Sequence, residues 1–346
     1  FTNIPADAAV TVTHAAGGEQ TGAREGETYT FTLVPETYSY RIQRKGYKSI
    51  RGTVTMDGTE KTIAAEWTAL TAWDGSVAES FSGGSGTAAD PYQIESGEEL
   101  AYLSKLAADK KAVNDAYYVL TADIDLNNKP FTPIGVDSSH SFRGTFDGAG
   151  HVISNLKVEV TESAKFAGLF GHANVIAKDL TIDTASVTSV SINTGVLVGG
   201  RYSSGSATNC VVKNAAVTGT GTVGGLIGMT GKTVNESYAL HVTVTATGDY
   251  AGGLVGGYCA STITSCFARG TVTGDGYVGG LIGNGVSSSS SVLSTGTHCL
   301  LRVTPGRSSA FAVLRRATLL IKVDFPTLGM PSTMTRTTRP TCPFWA

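Results

Sequence analysis

Gly224-Gly225-Leu226-Ile227-Gly228 is one of five closely similar phrases in the middle of this chain. The others are Ala167-Gly168-Leu169-Phe170-Gly171, Gly195-Val196-Leu197-Val198-Gly199, Gly252-Gly253-Leu254-Val255-Gly256 and Gly279-Gly280-Leu281-Ile282-Gly283. The leucines, Leu169, Leu197, Leu226, Leu254 and Leu281, stand 28, 29, 28 and 27 residues apart. A steady period of that length marks stacked units, each too small to bury its own apolar face. Two more strand-like segments follow each phrase. The first reads Asp179 to Ile182, Asn209 to Val212, Glu236 to Ala239 and Ser265 to Ala268; the second carries Val187, Val217, Val244 and Val272. Three short strands and three turns per period predict one coil of a right-handed parallel β-helix, with the leucines as an interior ladder. A propeller or sandwich built from the same strands is the alternative, but propeller blades need ~40 residues or more. Leu226 and Ile227 would face opposite sides of a single strand, so the inward one stays open.

Composition agrees with short strands. Glycine supplies 43 of 346 residues and charged residues only 16%, against ordinary values near ~7% and ~25%. A net charge of −2 gives no general attraction to nucleic acid or anionic membrane. No stretch is long and apolar enough to span a bilayer. The chain opens on Phe1 in strand-like sequence without a signal segment, so a piece of a longer or processed protein is expected.

Residues 1–70 alternate apolar and polar with glycine breaks, predicting a small antiparallel β-sandwich. Residues 71–93 read as a Gly/Ser-rich linker. Ser96 and Glu99 form a capping box ahead of Leu100, Leu103 and Leu106, which predicts a capping helix over about 96–111 in front of a coil array at 94–290. Past the serine run the period stops, cations dominate and prolines accumulate. Residues 291–346 read as an irregular basic tail, out of frame or non-native, that should not join the coils. The fold class is therefore all-β.

Two resemblances attach to these segments. The run Tyr38-Ser-Tyr40-Arg-Ile42-Gln-Arg-Lys-Gly46-Tyr47 resembles PEGA and related sandwiches of bacterial surface proteins. More specific are the leader Gly86-Thr-Ala-Ala-Asp90-Pro91-Tyr92, the Asp123-Ile-Asp-Leu126 segment, Gly144-Thr-Phe146-Asp147-Gly148-Ala-Gly150-His151 and the serial Gly-Gly-Leu-x-Gly units. Together they resemble the GLUG-motif repeat region of bacterial extracellular proteins, which include adhesins and the non-catalytic part of immunoglobulin-A-cleaving metallopeptidases. The resemblance implies an extracellular, non-catalytic stalk or display scaffold. Its partner would be a host glycoprotein or polysaccharide, and the rest of a larger chain would adjoin it.

Residues with catalytic or ligand-binding chemistry are few. None of His14, His140, His151, His172, His241 and His298 begins an HExxH zinc helix. No CxxC pair suggests zinc, and no Lys-Ser/Thr follows the glycines as in a phosphate loop. A carbohydrate-active β-helix would need clustered carboxylates. Asp249 and Asp275 are the nearest approach to such a pair, and they also read as plain turn residues. Asp123, Asp125 and Asp147 could offer oxygen ligands to Ca²⁺, although solvated strand residues would look the same. Tyr202, Tyr250, Tyr258 and Tyr277 fall beside the leucine phrases, either as an aromatic strip for sugar rings or as corner filler. Cys210 and Cys266 occupy equivalent slots two periods apart, with Ser237 between. Two coils separate them beyond disulfide reach, so both should be buried thiols.

Overall fold

The computed structural model describes residues 1–14, 18–44, 46–110, 115–163, 165–200, 205–231, 233–248, 250–259, 262–286, 292–293 and 301–305. Nearly all of them are strand or turn. A small antiparallel unit is followed by a parallel β-solenoid of about six turns.

From Tyr92 onward every strand pair among the described residues is parallel, and each strand pairs with its counterpart one period later. A coil has three parts. Asn193–Gly195, Thr222–Gly224, Tyr250–Gly252 and Tyr277–Gly279 stack as one ladder. Val198–Gly200, Ile227–Thr230, Val255–Cys259 and Ile282–Val286 stack as the second. The third is the long segment represented by Ser206–Gly219, which pairs with Phe170–Ser189 before it and Tyr238–Ala246 after it.

The leucine phrase lies between the first two ladders as a corner, which corrects the expectation of one straight strand. Leu226 and Ile227 are both fully buried. Because the chain turns at Gly225-Leu226, consecutive side chains need not alternate, and both point inward. Leu197, Leu226 and Leu254 each donate a backbone hydrogen bond to the next leucine's carbonyl, at 2.9 Å in every case. The first corner opens on Ala167 and the later ones on glycine, where the entry is crowded. A Cβ on Gly252 would lie 1.9 Å from the Val255 carbonyl oxygen.

The long third segments are bent by residues in the left-handed region, five positions apart: Gly150 and Asn155, Asp179 and Thr184, Asn209 and Asn214, Glu236 and His241. Short polar side chains tolerate that conformation best. Between and after these bends, inward positions form columns. Val158, Val187, Val217, Val244 and Val272 are one such column, all buried and paired in register. Near the N-terminal end the interior carries rings instead. Phe81, Tyr92, Tyr118, Phe142 and Phe170 follow one another at centroid separations of 4.9 to 5.6 Å.

The cap helix runs Gly97–Ala108, with Ser96 accepting from the Glu99 N–H. Leu100 and Leu103 enter the solenoid core. Part of the tail departs from expectation. Val292–Leu293 pairs with Ile263–Thr264, and Leu301–Pro305 with Gly270–Gly274, so the backbone joins the sheet beyond residue 291. In that ladder the Val303 backbone stands in register with Val272. Residues 306–346 lie outside the described residues.

The antiparallel unit pairs Ala8–His14 with Thr37–Arg44 and the latter with Ile50–Thr55, and adds the hairpin Gly22–Glu25/Thr28–Phe31. Its core cluster is Ile4, Ala8, Ile42 and Ala65, flanked by Phe1, Tyr29, Tyr40 and Trp67, and Val12 and Tyr38 are buried as well. The stretch 71–93 is mostly exposed but is anchored by two rings. Trp73 is buried in the solenoid core and its N–H donates to the Asp125 carbonyl at 2.8 Å. Phe81 contacts Tyr92, Tyr102 and Tyr118.

Candidate functional site

The outer edge of the first ladder carries the aromatic candidates. Tyr250 and Tyr277 begin consecutive strands in register, so parallel stacking sets them one coil apart. Their rings lie 5.5 Å apart and 22° from parallel. Each ring therefore covers one face of the other, and what remains toward solvent is ring edges, hydroxyls and the outer face of Tyr277. Tyr277 is 51% exposed, and earlier on the same edge Val190 and Ile192 are 45% and 56% exposed. Asp275 stands exposed two residues ahead of Tyr277. Tyr202, Asp249 and the side chain of Tyr258 lie outside the described residues.

The three aspartates proposed for Ca²⁺ are not brought to one point. Asp123 accepts from the His151 ring at 3.1 Å and from the Val152 N–H at 3.0 Å. Asp125 accepts from the Asn127 N–H at 2.7 Å and the Asn155 side chain at 2.8 Å. Asp147 accepts from the Ala149 N–H at 2.8 Å and pairs with Lys178 Nζ at 2.6 Å. That Lys178 ion pair raises the lysine above its ordinary value. No group of three His, Cys, Asp or Glu side chains is placed to hold a metal among the described residues.

Asp125, with its bond from Asn155, belongs with Asp179 and Asp183 to a different device, a polar ladder on the corners. Asn209 donates to Asp179 at 2.7 Å and Asn214 to Asp183 at 2.8 Å, each across one coil step. Lys213 Nζ adds an ion pair to Asp183 at 3.0 Å. Burial alone would raise the Asp183 carboxyl, but the bonds from Asn214 and Lys213 outweigh it and hold it below its ordinary value. The sequence signal was present in the spacing of Asp179, Asp183, Asn209 and Asn214.

The cysteine column is as expected from the period. Cys210 and Cys266 are buried, with Ser237 between them. The Cys210 N–H donates to Ser237 Oγ at 3.1 Å, and the Ser237 N–H to Cys266 Sγ at 3.4 Å. Burial pushes the Cys266 thiol up to about 11, which keeps it protonated and unreactive. Cys299, Cys342 and the side chain of Cys259 fall outside the described residues.

No family model matches the chain. Over 236 residues it is 34% identical to the protein named Halomucin from Haloquadratum walsbyi, a match that takes in 64% of this chain and 2% of that protein. The chain thus spans a very small part of the relative's length. Among solved structures it is similar to the crystal structure of a Bacteroides ovatus protein provisionally assigned as an immunoglobulin A1 protease. That likeness has a TM-score of 0.56 at 23% identity and covers 65% of this chain and 70% of the other. At that identity the likeness establishes a shared fold, and the shared fold includes a parallel stack of coils.

Proposed function

We propose that this chain is a non-catalytic module of a secreted or cell-surface protein, a stiff solenoid spacer whose outer edge makes adhesive contacts. The observation that carries the reading is the corner ladder. Copies of the Gly-Leu corner stack in register on a continuous core, so the surface is a repeating wall built for length and rigidity. The engagement of Asp123, Asp125 and Asp147 in separate structural bonds agrees with a scaffold role. The likeness to Halomucin and the GLUG-like phrases support the extracellular setting. No helix among the described residues is long and apolar enough to cross a membrane.

The contact edge is Tyr250 and Tyr277, with the exposed Ile192 two coils before Tyr250. Hydroxyls and ring edges suit hydrogen bonding along a polysaccharide or glycoprotein glycan, while the free face of Tyr277 offers one stacking place. Glycan arrays probed with the wild-type chain and with Tyr250→Ala/Tyr277→Ala test this. Binding that falls about tenfold or more in the double variant, with no sugar product released, is the expected result; tenfold corresponds to ~1.4 kcal/mol. Equal binding by both proteins removes the edge from the reading, and product release overturns the non-catalytic assignment.

A further inference from the structure

Two residues near the start of one third segment depart from the columns they belong to. Lys178, Thr208, Asn235 and Thr264 pair in register on successive coils, each of them half-buried on the outside of the wall. Two residues later the inward position reads Leu180, Cys210, Ser237 and Cys266, all buried. Asn235 places an amide in a file of hydroxyls and one lysine. Ser237 places a hydroxyl in a file of leucine and cysteine. Together they spell Asn235-Glu236-Ser237, the Asn-x-Ser pattern of an N-glycan acceptor. No other asparagine in the sequence has Ser or Thr two residues on.

The geometry around Asn235 suits an attached sugar. Thr264 Oγ1 donates to Asn235 Oδ1 at 2.6 Å, which fixes the amide plane. The other side-chain atom, Nδ2, has no partner among the described residues and is not buried. The in-register neighbours on both sides, Thr208 and Thr264, are short. Along a straight strand, residues i and i+2 share a face. Here Glu236 between them holds φ 48°, so the chain bends, Asn235 stays outward and Ser237 turns fully inward.

The fold gives no reason of its own for serine at 237. A buried hydroxyl is tolerated only when bonded, and this one is: it accepts from the Cys210 N–H at 3.1 Å and donates to the Asn235 carbonyl at 2.8 Å. Cysteine makes the equivalent bond in the adjoining coils. Cys210 Sγ donates to the Thr208 carbonyl at 3.4 Å and Cys266 Sγ to the Thr264 carbonyl at 3.1 Å. The column would therefore accept cysteine here, and what serine adds is the hydroxyl that the acceptor pattern requires.

We propose that Asn235 carries an N-linked glycan, attached before its coil closes. The inference rests on the extracellular setting proposed above and goes beyond it, since this sugar is the chain's own. In the transfer, Asn235 Nδ2 attacks the anomeric carbon of a sugar carried on a lipid phosphate. The N–C bond forms as the C–O bond to the phosphate breaks, and the Nδ2 proton passes to a base of the transferring enzyme. Such an enzyme has to reach the Ser237 hydroxyl, which the folded coil hides, so transfer precedes folding. The attachment point lies on the third segment and the tyrosine edge on the first ladder, so the two occupy different walls.

Mass spectrometry of peptides from the full chain, made by the cells that naturally produce it, tests the site. The Asn235 peptide should carry the added mass of one or more sugars, placed on Asn235 by fragmentation. Asn235→Gln should lose that mass completely. Ser237→Cys should fold as the wild type does, by thermal unfolding, and lose most of it. Bare Asn235 in wild-type protein collected outside the cell overturns the site and leaves the extracellular reading standing. Bare Asn235 in protein confined to the cytoplasm overturns both. Full sugar occupancy in Ser237→Cys overturns the role given to the serine, and with it the acceptor assignment.

Discussion

In the solenoid a buried side chain is one member of a column; in the antiparallel module it is one of a handful. Val217 packs between Val187 and Val244, each of them in turn backed by another coil. Ile42 has Ile4, Ala8 and Ala65 for buried company and depends on half-exposed rings for the rest. Column packing makes solenoid stability a sum of nearest-neighbour terms that grows with length. A module of some seventy residues has little surplus from its own core and leans on outside contacts. The Arg51–Glu95 ion pair and the Ser49 N–H bond to Glu95 are contacts of that kind.

The contrast predicts that backbone defects are worst where columns turn. Gly252→Ala would force a Cβ to 1.9 Å from the Val255 carbonyl oxygen and to 2.7 Å from the Gly283 nitrogen of the next coil. Relief requires opening two coils at once, so the expected loss is more than ~4 kcal/mol, in the exceptional range for one substitution. Gly150→Ala is the control. Gly150 has a positive φ, 80°, which Gly252 lacks, and nothing lies within 4 Å of the added carbon, so the loss should stay near the ~1–2 kcal/mol of left-handed strain. Thermal unfolding of the two variants measures the difference. Equal losses would mean that the corner gives way to the added carbon and that close approach does not set its composition.

Side-chain truncation sharpens the same comparison. Leu226→Ala and Ile42→Ala each remove a fully buried aliphatic side chain, for which ~2–5 kcal/mol is usual. The sites should differ in reach. In Leu226→Ala, amides of the coils on both sides should lose exchange protection. In Ile42→Ala the loss should be confined to the small module, leaving residues beyond Trp73 protected. Solenoid amides deprotected by Ile42→Ala would make the two modules one cooperative unit and end the distinction.

How far the sequence discloses this architecture follows from the range of each interaction. The leucine period, the valine column and the Ser96/Glu99 cap are local or strictly repeating, and all three can be read from the residues alone. The inward placement of both Leu226 and Ile227 cannot, because alternation holds only along a straight strand and this strand is broken by a corner. The left-handed corners are half hidden. Asn155, Asp179, Asn209 and Asn214 announce them, while Thr184, Glu236, His241 and Ser265 occupy the same conformation with residues that carry no such signal. The Arg51–Glu95 ion pair is wholly non-local. Its partners meet only after two modules have folded, and no spacing in the chain connects them. Tyr250 and Tyr277 were found by their place in the repeat, but the covering of one ring by the other depends on rotamers.

The smallest expected effect separates two causes at one corner. Asn214 holds φ 56° and donates to Asp183 across the coil step. Asn214→Ala removes the hydrogen bond and strains the backbone, for an expected ~1–2 kcal/mol. Asn214→Gly removes the same bond but fits the left-handed region freely, so its loss should remain below ~0.5 kcal/mol, the lower end for an exposed hydrogen bond. Chemical denaturation resolves the pair. If the two variants lose equally, the cross-coil bond sets the corner, and the small module and the solenoid would be alike in relying on side-chain polar contacts. If alanine alone is costly, the corners are a backbone property, and the solenoid's regularity comes from where the chain can turn.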